Sequence, residues 1–341
     1  MEVNLHAYLN KNLGDDLFIY ILSNRYKDIN FKLISNKRYY ISKNVKILNS
    51  KVYKIYNFFR KNNNNKLNVL IGGSMFIENK SYDYPKIIAP PKKYIILGSN
   101  FGPFVTNNFY KKYYNFFAEA EDVCFRDTKS YNLFKDLPNV RYASDIVFSL
   151  DTADINIKDT NNVIISVINC DKKAENISSN EYEDKIIELI TYLNNKGYNA
   201  TLMSFCKDEG DEECINSIIN KMKKNKVRKI PSKYFYRGDL HEALNVLGSS
   251  KIIVGTRFHA NIIGMLMDKV IIPIAYSDKT INVLNDMNFE GKIFDVRKLE
   301  EFTINSLEEK DLNYKINVSR QKKDALKHFD KLDNILNEGR K

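Results

Sequence analysis

The run Thr256-Arg257-Phe258-His259-Ala260 sets a permanent cation two positions before a titratable imidazole. Apolar residues predict a strand at 251–254, a helix at 258–267 and a second strand at 270–275. Where a strand hands over to a helix, the first backbone N–H groups of the helix have no partner inside it and point outward, so the turn can hold an anion. Arg257 adds a bidentate fork suited to carboxylate or phosphate. His259 adds a proton that can be given or taken near neutral pH. An arginine at a strand end is most often a surface ion pair, and a histidine in a first helical turn is often a cap. The chain has only four histidines, His6, His241, His259 and His328, and one of them follows an arginine at such a turn; that coincidence favours chemistry.

Other strand ends carry related residues. After a strand at 3–8 comes Asn12-Leu13-Gly14-Asp15-Asp16, where glycine permits a tight turn and either aspartate can cap the next helix or act on a sugar hydroxyl. After 67–71 comes Gly72-Gly73-Ser74, which lets a ligand approach the backbone and offers a hydroxyl donor, and equally serves any tight turn. Gly98-Ser99-Asn100-Phe101-Gly102-Pro103 describes a rigid loop with exposed N–H groups. After 122–125 comes Arg126-Asp127-Thr128, in which Asp127 or Thr128 suffices as a cap and Arg126 is not needed for one. Arg126 and Arg257 thus occupy equivalent places in the two halves, and across a cleft they would clamp a small polyanion. Lys279, after 270–275, either neutralises phosphate or is solvated.

The elements that must position these residues alternate between short apolar runs and longer amphipathic ones, the pattern of α/β layers on a mainly parallel sheet. Strands are expected at 3–8, 31–35, 67–71, 94–98 and 122–125, and helices at 15–26, 50–60, 108–119 and 128–135. A second cycle starts at 162–168 and continues with helix 181–195, strand 199–204 and helices 211–224 and 239–248. The expected fold class is α/β, with two Rossmann-like domains facing a cleft: 1–155 on the acceptor side, 156–315 on the donor side, and a basic amphipathic helix within 316–341 crossing back to the first domain. Open parallel sheets bind ligands at the carboxyl ends of their strands, where the turns above fall.

Composition removes several classes. A length of 341 residues suits about two domains. No run reaches the roughly 18 apolar residues that span a bilayer, and the N-terminal residues lack the pattern of a secretory leader; a cytoplasmic location is expected. Cys124, Cys170, Cys206 and Cys214 form no C-x-x-C, so neither zinc nor a disulfide framework is indicated. The net charge of +11 comes with lysine and asparagine spread everywhere, and no nucleic-acid motif accompanies it, so no nucleic-acid partner is expected. Phosphate-loop, dinucleotide and hydrolase-elbow motifs are absent. No D-x-D occurs, against a metal-dependent sugar-nucleotide transferase, and no metal is expected.

Taken in order, Asn12 to Asp15, Gly72 to Ser74, Gly98 to Pro103, Arg126-Asp127 with Ser130, Ser144-Asp145, and Gly255 to Ala260 followed by Pro273, Tyr276 and Lys279 resemble the polysaccharide pyruvyl transferase family. The resemblance covers about residues 10–280, with Arg257-x-His259-Ala260 as its most diagnostic part. It implies a fold like that of GT-B glycosyltransferases, and transfer of pyruvate from phosphoenolpyruvate onto two hydroxyls of one sugar as a cyclic ketal. Phosphoenolpyruvate would be a co-substrate, with no cofactor. It implies that Arg126, Arg257, His259 and the backbone of Phe258 bind the donor. From the donor's chemistry, His259 is expected to be catalytic, as the general acid or as the group that protonates departing phosphate, and Lys279 is a further candidate for donor binding. Asn12, Gly14, Asp15, Gly73, Ser74 and Asn100 would serve the acceptor or its loops. Phe258 stands where leucine is commoner in the family, and Asp15-Asp16 where Asp-Glu is common. The expected acceptor is a sugar of a surface polysaccharide, free or lipid-linked. The basic surplus then fits either a solvated surface, the preferred reading, or a peripheral contact with anionic membrane. The rival enzyme reading is a GT-B glycosyltransferase using a nucleotide-sugar donor; the non-catalytic rival is a polyanion-binding scaffold.

Overall fold

A computed structural model describes residues 2–37, 39–53, 66–78, 83–88, 93–158, 160–173 and 177–338. Most of the helix expected over 50–60 lies outside these residues. The chain divides into two compact units, and it enters the second unit twice. The first unit takes the chain up to Leu9, then Asp15–Leu150, then everything from Ser319 on; the second takes Asn10–Gly14 and Asp151–Val318.

The first unit is built on a seven-stranded sheet of β1 (Glu2–His6), β2 (Asn30–Ile34), β3 (Val45–Leu48), β4 (Leu67–Ile71), β5 (Tyr94–Ser99), β6 (Asp122–Phe125) and β7 (Val140–Tyr142), in the order β3-β2-β1-β4-β5-β6-β7. All neighbouring pairs are parallel. Every residue of β4, β5 and β6 is buried, which explains why they are mostly apolar rather than alternating: a parallel sheet covered on both faces has no solvent side to alternate toward. On one face, the helix Asn107–Ala118 buries Tyr113, Phe116 and Phe117 at helical spacing. Phe117 stands edge-on to Phe134 and Phe76, with ring centroids 4.9 and 5.0 Å apart.

Instead of the single helix expected over 318–336, two short helices, Ser319–Ala325 and Asp330–Glu338, flank a 3-10 turn at Leu326–Phe329. Arg141 explains the break: its guanidinium bonds the Lys327 carbonyl and, at 3.0 Å, the His328 carbonyl, in competition with the α-helical ladder. The segment is tied to the rest of the first unit by Asp324, which accepts from the Ser144 N–H at 2.7 Å. Asp333 accepts from Arg25 and Tyr26, each at 2.7 Å.

The second unit repeats the plan with six strands: β8 (Asn162–Ser166), β9 (Asn199–Ser204), β10 (Ser232–Phe235), β11 (Ile252–Gly255), β12 (Val270–Ala275) and β13 (Phe294–Asp295), in the order β10-β9-β8-β11-β12-β13, all parallel. The helix Ser179–Asn195 starts where Ser178 caps the Glu181 N–H, and it buries Tyr182, Ile186, Leu189, Ile190 and Leu193. In both sheets the order of connection reverses beside the first strand, between β1 and β4 and between β8 and β11. Loops diverge at such a point and leave room at the carboxyl ends of the strands. Among the described residues, no helix is long and apolar enough to cross a membrane.

Candidate active site

The turn after β11 lies at the reversal point of the second sheet, and neighbouring groups fix it closely. Thr256 N–H donates to the Ser166 carbonyl and Arg257 N–H to the Ser166 hydroxyl, both at 3.2 Å. The Tyr182 and Thr256 hydroxyls share a hydrogen bond of 2.9 Å, and Asn261 Nδ2 donates to the Gly255 carbonyl at 2.8 Å. Arg257 is itself the N-cap residue of the helix Phe258–Leu266, and its side chain makes no capping hydrogen bond. The turn thus sits at the positive end of that helix's dipole.

The Arg257 side chain is 8% exposed and turned to carboxylates. Its Nε donates to Asp211 Oδ2 at 3.0 Å and its Nη2 to Asp211 Oδ1, while Nη1 meets Glu209, which also pairs with Lys173 at 2.5 Å. Two cations and two anions thus form one cluster. Burial alone would lower the pKa of Arg257, but the Asp211 and Glu209 charges outweigh it and raise it further, so the guanidinium is permanently charged. Burial would raise the Glu209 pKa; the Arg257 and Lys173 charges prevail and lower it to about 2.

The partly exposed imidazole of His259 lies against Gly14. A Cβ on Gly14 would come within 2.8 Å of the His259 Cγ, so any other residue there would push the ring away. Gly14 N–H donates to Asn12 Oδ1 at 3.1 Å, Asn12 pairs with Cys206, and Leu13 N–H donates to the Phe205 carbonyl at 3.0 Å. The Lys279 ammonium sits 4.9 Å from the centre of the buried Phe258 ring, a cation–π contact.

In the first unit Arg126 follows β6 and is 1% exposed along its side chain. Its Nη1 donates to Asp145 at 2.9 Å and its Nη2 to Asn100 Oδ1 at 2.7 Å, and Ser74 donates to the same Asn100 oxygen at 3.3 Å. A Cβ on Gly73 would lie 2.6 Å from the Arg126 Cζ. The helix Thr128–Phe134 is capped by Asp127, which accepts from the Ser130 N–H at 2.7 Å.

The sequence-predicted residues thus gather in two groups. Arg126, Gly73, Ser74 and Asn100 meet in the first unit. Arg257, Phe258, His259 and Lys279 meet in the second, where they are joined by Asn12 and Gly14, which the sequence reading assigned to the acceptor side. Asp15 belongs to the first unit, in the opening turn of the helix Leu13–Arg25, where its charge suits the helix dipole. Sequence reasoning missed Lys173, Glu209 and Asp211. Asp211 reads along the chain only as the first residue of a helix, and nothing local marks it as the partner of an arginine 46 positions later.

Two α/β units, each on a parallel sheet whose order of connection reverses beside its first strand, define a GT-B type of fold. The chain resembles the UDP-GlcNAc 2-epimerase of Methanocaldococcus jannaschii, with a TM-score of 0.58 and 12% identity over 99% of this chain and all of that one, 100%. It also resembles a glycosyltransferase from Rickettsia africae, with a TM-score of 0.52 and 14% identity over 99% of this chain and 96% of that one. At such identities the likeness is one of fold. The chain belongs to the polysaccharide pyruvyl transferase family, whose model matches residues 12–278 and so spans both arginine turns and His259. That membership assigns it a role in pyruvyl transfer during polysaccharide synthesis. No curated protein matches it in sequence.

Proposed function

We propose that the chain moves pyruvate from phosphoenolpyruvate onto two hydroxyls of one sugar, forming a cyclic ketal and releasing phosphate. The observation that carries this reading is the β11 turn: a permanent guanidinium at the positive end of a helix stands next to a partly exposed imidazole in the first helical turn. A donor with a carboxylate, a phosphate and an electron-rich methylene needs cations for its anions and an acid for its carbon.

In this scheme C3 of the donor takes a proton from His259, leaving an oxocarbenium-like centre at C2. One sugar hydroxyl adds there, the C2–O bond to phosphate breaks, and the second hydroxyl closes the ring. The two hydroxyl protons balance the reaction: one restores His259 and the other leaves with phosphate. Arg257, Lys279 and the helix start hold the donor's charges, the Phe258 backbone adds a contact, and Arg126 is the first unit's cation toward the donor. Asn12, Gly14, Asp15, Gly73, Ser74 and Asn100 shape the acceptor side and its loops, and the acceptor is a sugar of a surface polysaccharide or its lipid-linked precursor.

Incubation with phosphoenolpyruvate and a panel of lipid-linked and nitrophenyl sugars, followed by phosphate assay and mass spectrometry, tests the reading. The expected product is heavier than the acceptor by one pyruvate less one water, with one phosphate released per ketal. Turnover of UDP- or GDP-sugars, with phosphoenolpyruvate inert, would replace it with nucleotide-sugar transfer.

A further inference from the structure

Asp211 opens the helix Asp211–Lys224, yet the residue is wholly buried. Its Oδ2 accepts from the Phe205 N–H at 2.8 Å, the Cys206 N–H at 3.0 Å and the Arg257 Nε–H at 3.0 Å; its Oδ1 accepts from Arg257 Nη2. None of these bonds goes to an N–H of its own helix, so Asp211 is not acting as a cap. The donors come from two separate segments, the end of β9 and the turn after β11. A buried carboxylate persists where its acceptor capacity is filled, and here it is filled by the two pieces of chain that frame the site.

The β9 end passes this constraint on. The Phe205 carbonyl receives the Leu13 N–H at 3.0 Å, Cys206 pairs with Asn12, and the Cys206 thiol lies 3.8 Å from the Asn10 carbonyl. The segment Asn10–Gly14 is thereby held in the second unit, and its last residue, Gly14, is the wall against which the His259 ring lies. One carboxylate therefore governs both the guanidinium, directly, and the imidazole, through two strands of backbone.

We infer that Asp211 is the positioning residue of this site, holding Arg257 by its side edge and fixing, through Phe205-Cys206 and Gly14, the place of His259. Asp211 touches no substrate in this arrangement. The inference deepens the pyruvyl-transfer reading and rests on it only where activity is measured.

The test uses the full chain and Asp211→Asn, which keeps the shape but replaces an acceptor by an amide N–H2 facing the guanidinium. In ligand-free protein, NMR of the Arg257 Nε–H and of the His259 ring should show both resonances displaced in the variant, with the Nε–H exchanging fast. With phosphoenolpyruvate, kcat/KM should fall about 10- to 100-fold, the scale of misplaced reacting groups. Because Asp211 acts through Arg257, the double variant D211N/R257K should lose no more than about threefold beyond R257K alone, the mark of coupled rather than independent sites. Unchanged Arg257 and His259 resonances in D211N, or losses that multiply in the double variant, would overturn the inference. Should D211N not fold, the wild type decides: a slowly exchanging Arg257 Nε–H is expected, and exchange as fast as that of a free arginine refutes the inference. A wild type that neither binds nor consumes phosphoenolpyruvate refutes the donor reading instead, and the resonances still judge Asp211.

Discussion

Arg126 and Arg257 both lie between an apolar parallel strand and a helix, but one position apart rather than in the equivalent places expected from sequence. Arg126 directly follows β6 and precedes the cap Asp127, whereas Arg257 is the second residue after β11 and itself takes the N-cap position, and the two units have put them to different uses. In the first unit the helix start is satisfied by Asp127, and Arg126 spends its donors on Asp145 and Asn100. In the second, the N-cap residue Arg257 makes no capping bond and is braced by two carboxylates, and the second helical residue is His259, where the first unit has Lys129. Each guanidinium or imidazole is fitted over a glycine, Gly73 under Arg126 and Gly14 against His259. The same strand–turn–helix plan thus carries a capped helix start in the first unit, and an ion cluster with an imidazole two residues on in the second.

The sharpest way to break this comparison is to remove the imidazole. His259→Ala should lower kcat by ~10²- to 10⁴-fold, the loss typical of a positioned acid, while Lys129→Ala at the equivalent place should leave kcat within a few fold. Steady-state phosphate release checks both. Comparable losses for the two would mean that the second turn owes nothing special to His259.

Removing each arginine tests the bracing. Arg257→Ala leaves the wholly buried Asp211 without a cation and Glu209 with Lys173 alone, so the second unit should lose about 3 to 5 kcal/mol. Arg126→Ala leaves one carboxylate, Asp145, which still accepts from the Val147 N–H at 2.9 Å, so the first unit should lose less. Urea unfolding followed by hydrogen exchange in each unit measures both, and an equal or reversed ranking would contradict the extra carboxylate's role.

A methyl group is a smaller probe. Gly14→Ala pushes on the His259 ring and should cut kcat about tenfold. Gly73→Ala pushes on Arg126 and should act more on stability than on kcat if the first turn is closed upon its own partners. The ratio of the two kcat losses, from phosphate release, reads the difference directly.

How much of this was legible along the chain differs by level. The strands β4, β6 and β12 are largely apolar, β9 carries an apolar centre between polar ends, and the limits of all four were readable to the residue. The edge strands were not. β3 carries Lys46 and is half-exposed, β10 begins Ser232-Lys233 with both exposed, and β13 has two residues; none shows a period long enough to detect. The strand-end arginines and His259 were visible because the turns betray them. Glu209 and Asp211 were not, since an ion pair between distant segments leaves no local mark. The glycines were visible but not their neighbours: Gly14 read as a tight turn and Gly73 as a tight turn or a place for a ligand to approach, and the structure sets the His259 and Arg126 side chains against them.

The smallest expected effect concerns acid, and it separates the units by different chemistry. In the first unit His328 is wholly buried, its Nε2 2.9 Å from the Ser144 carbonyl; burial, with help from the Arg141 charge, lowers its pKa to about 3. The folded unit therefore keeps a neutral imidazole, while an unfolded chain takes up a proton near pH 6.5, so this contribution is whole above pH 6.5 and is lost as pH falls toward 3. In the second unit Glu209 is held at about 2 against an ordinary value of 4.5, so its contribution is whole above pH 4.5 and is lost only as pH falls toward 2. At a pH one unit below the unfolded histidine's value, the first unit should have lost about 1 kcal/mol and the second almost nothing. Hydrogen exchange of β5 and β11, corrected for the intrinsic rate, should show protection falling first in β5, and His328→Gln should abolish that early loss. Earlier loss in β11 would place the acid-sensitive group in the second unit and reverse the assignment.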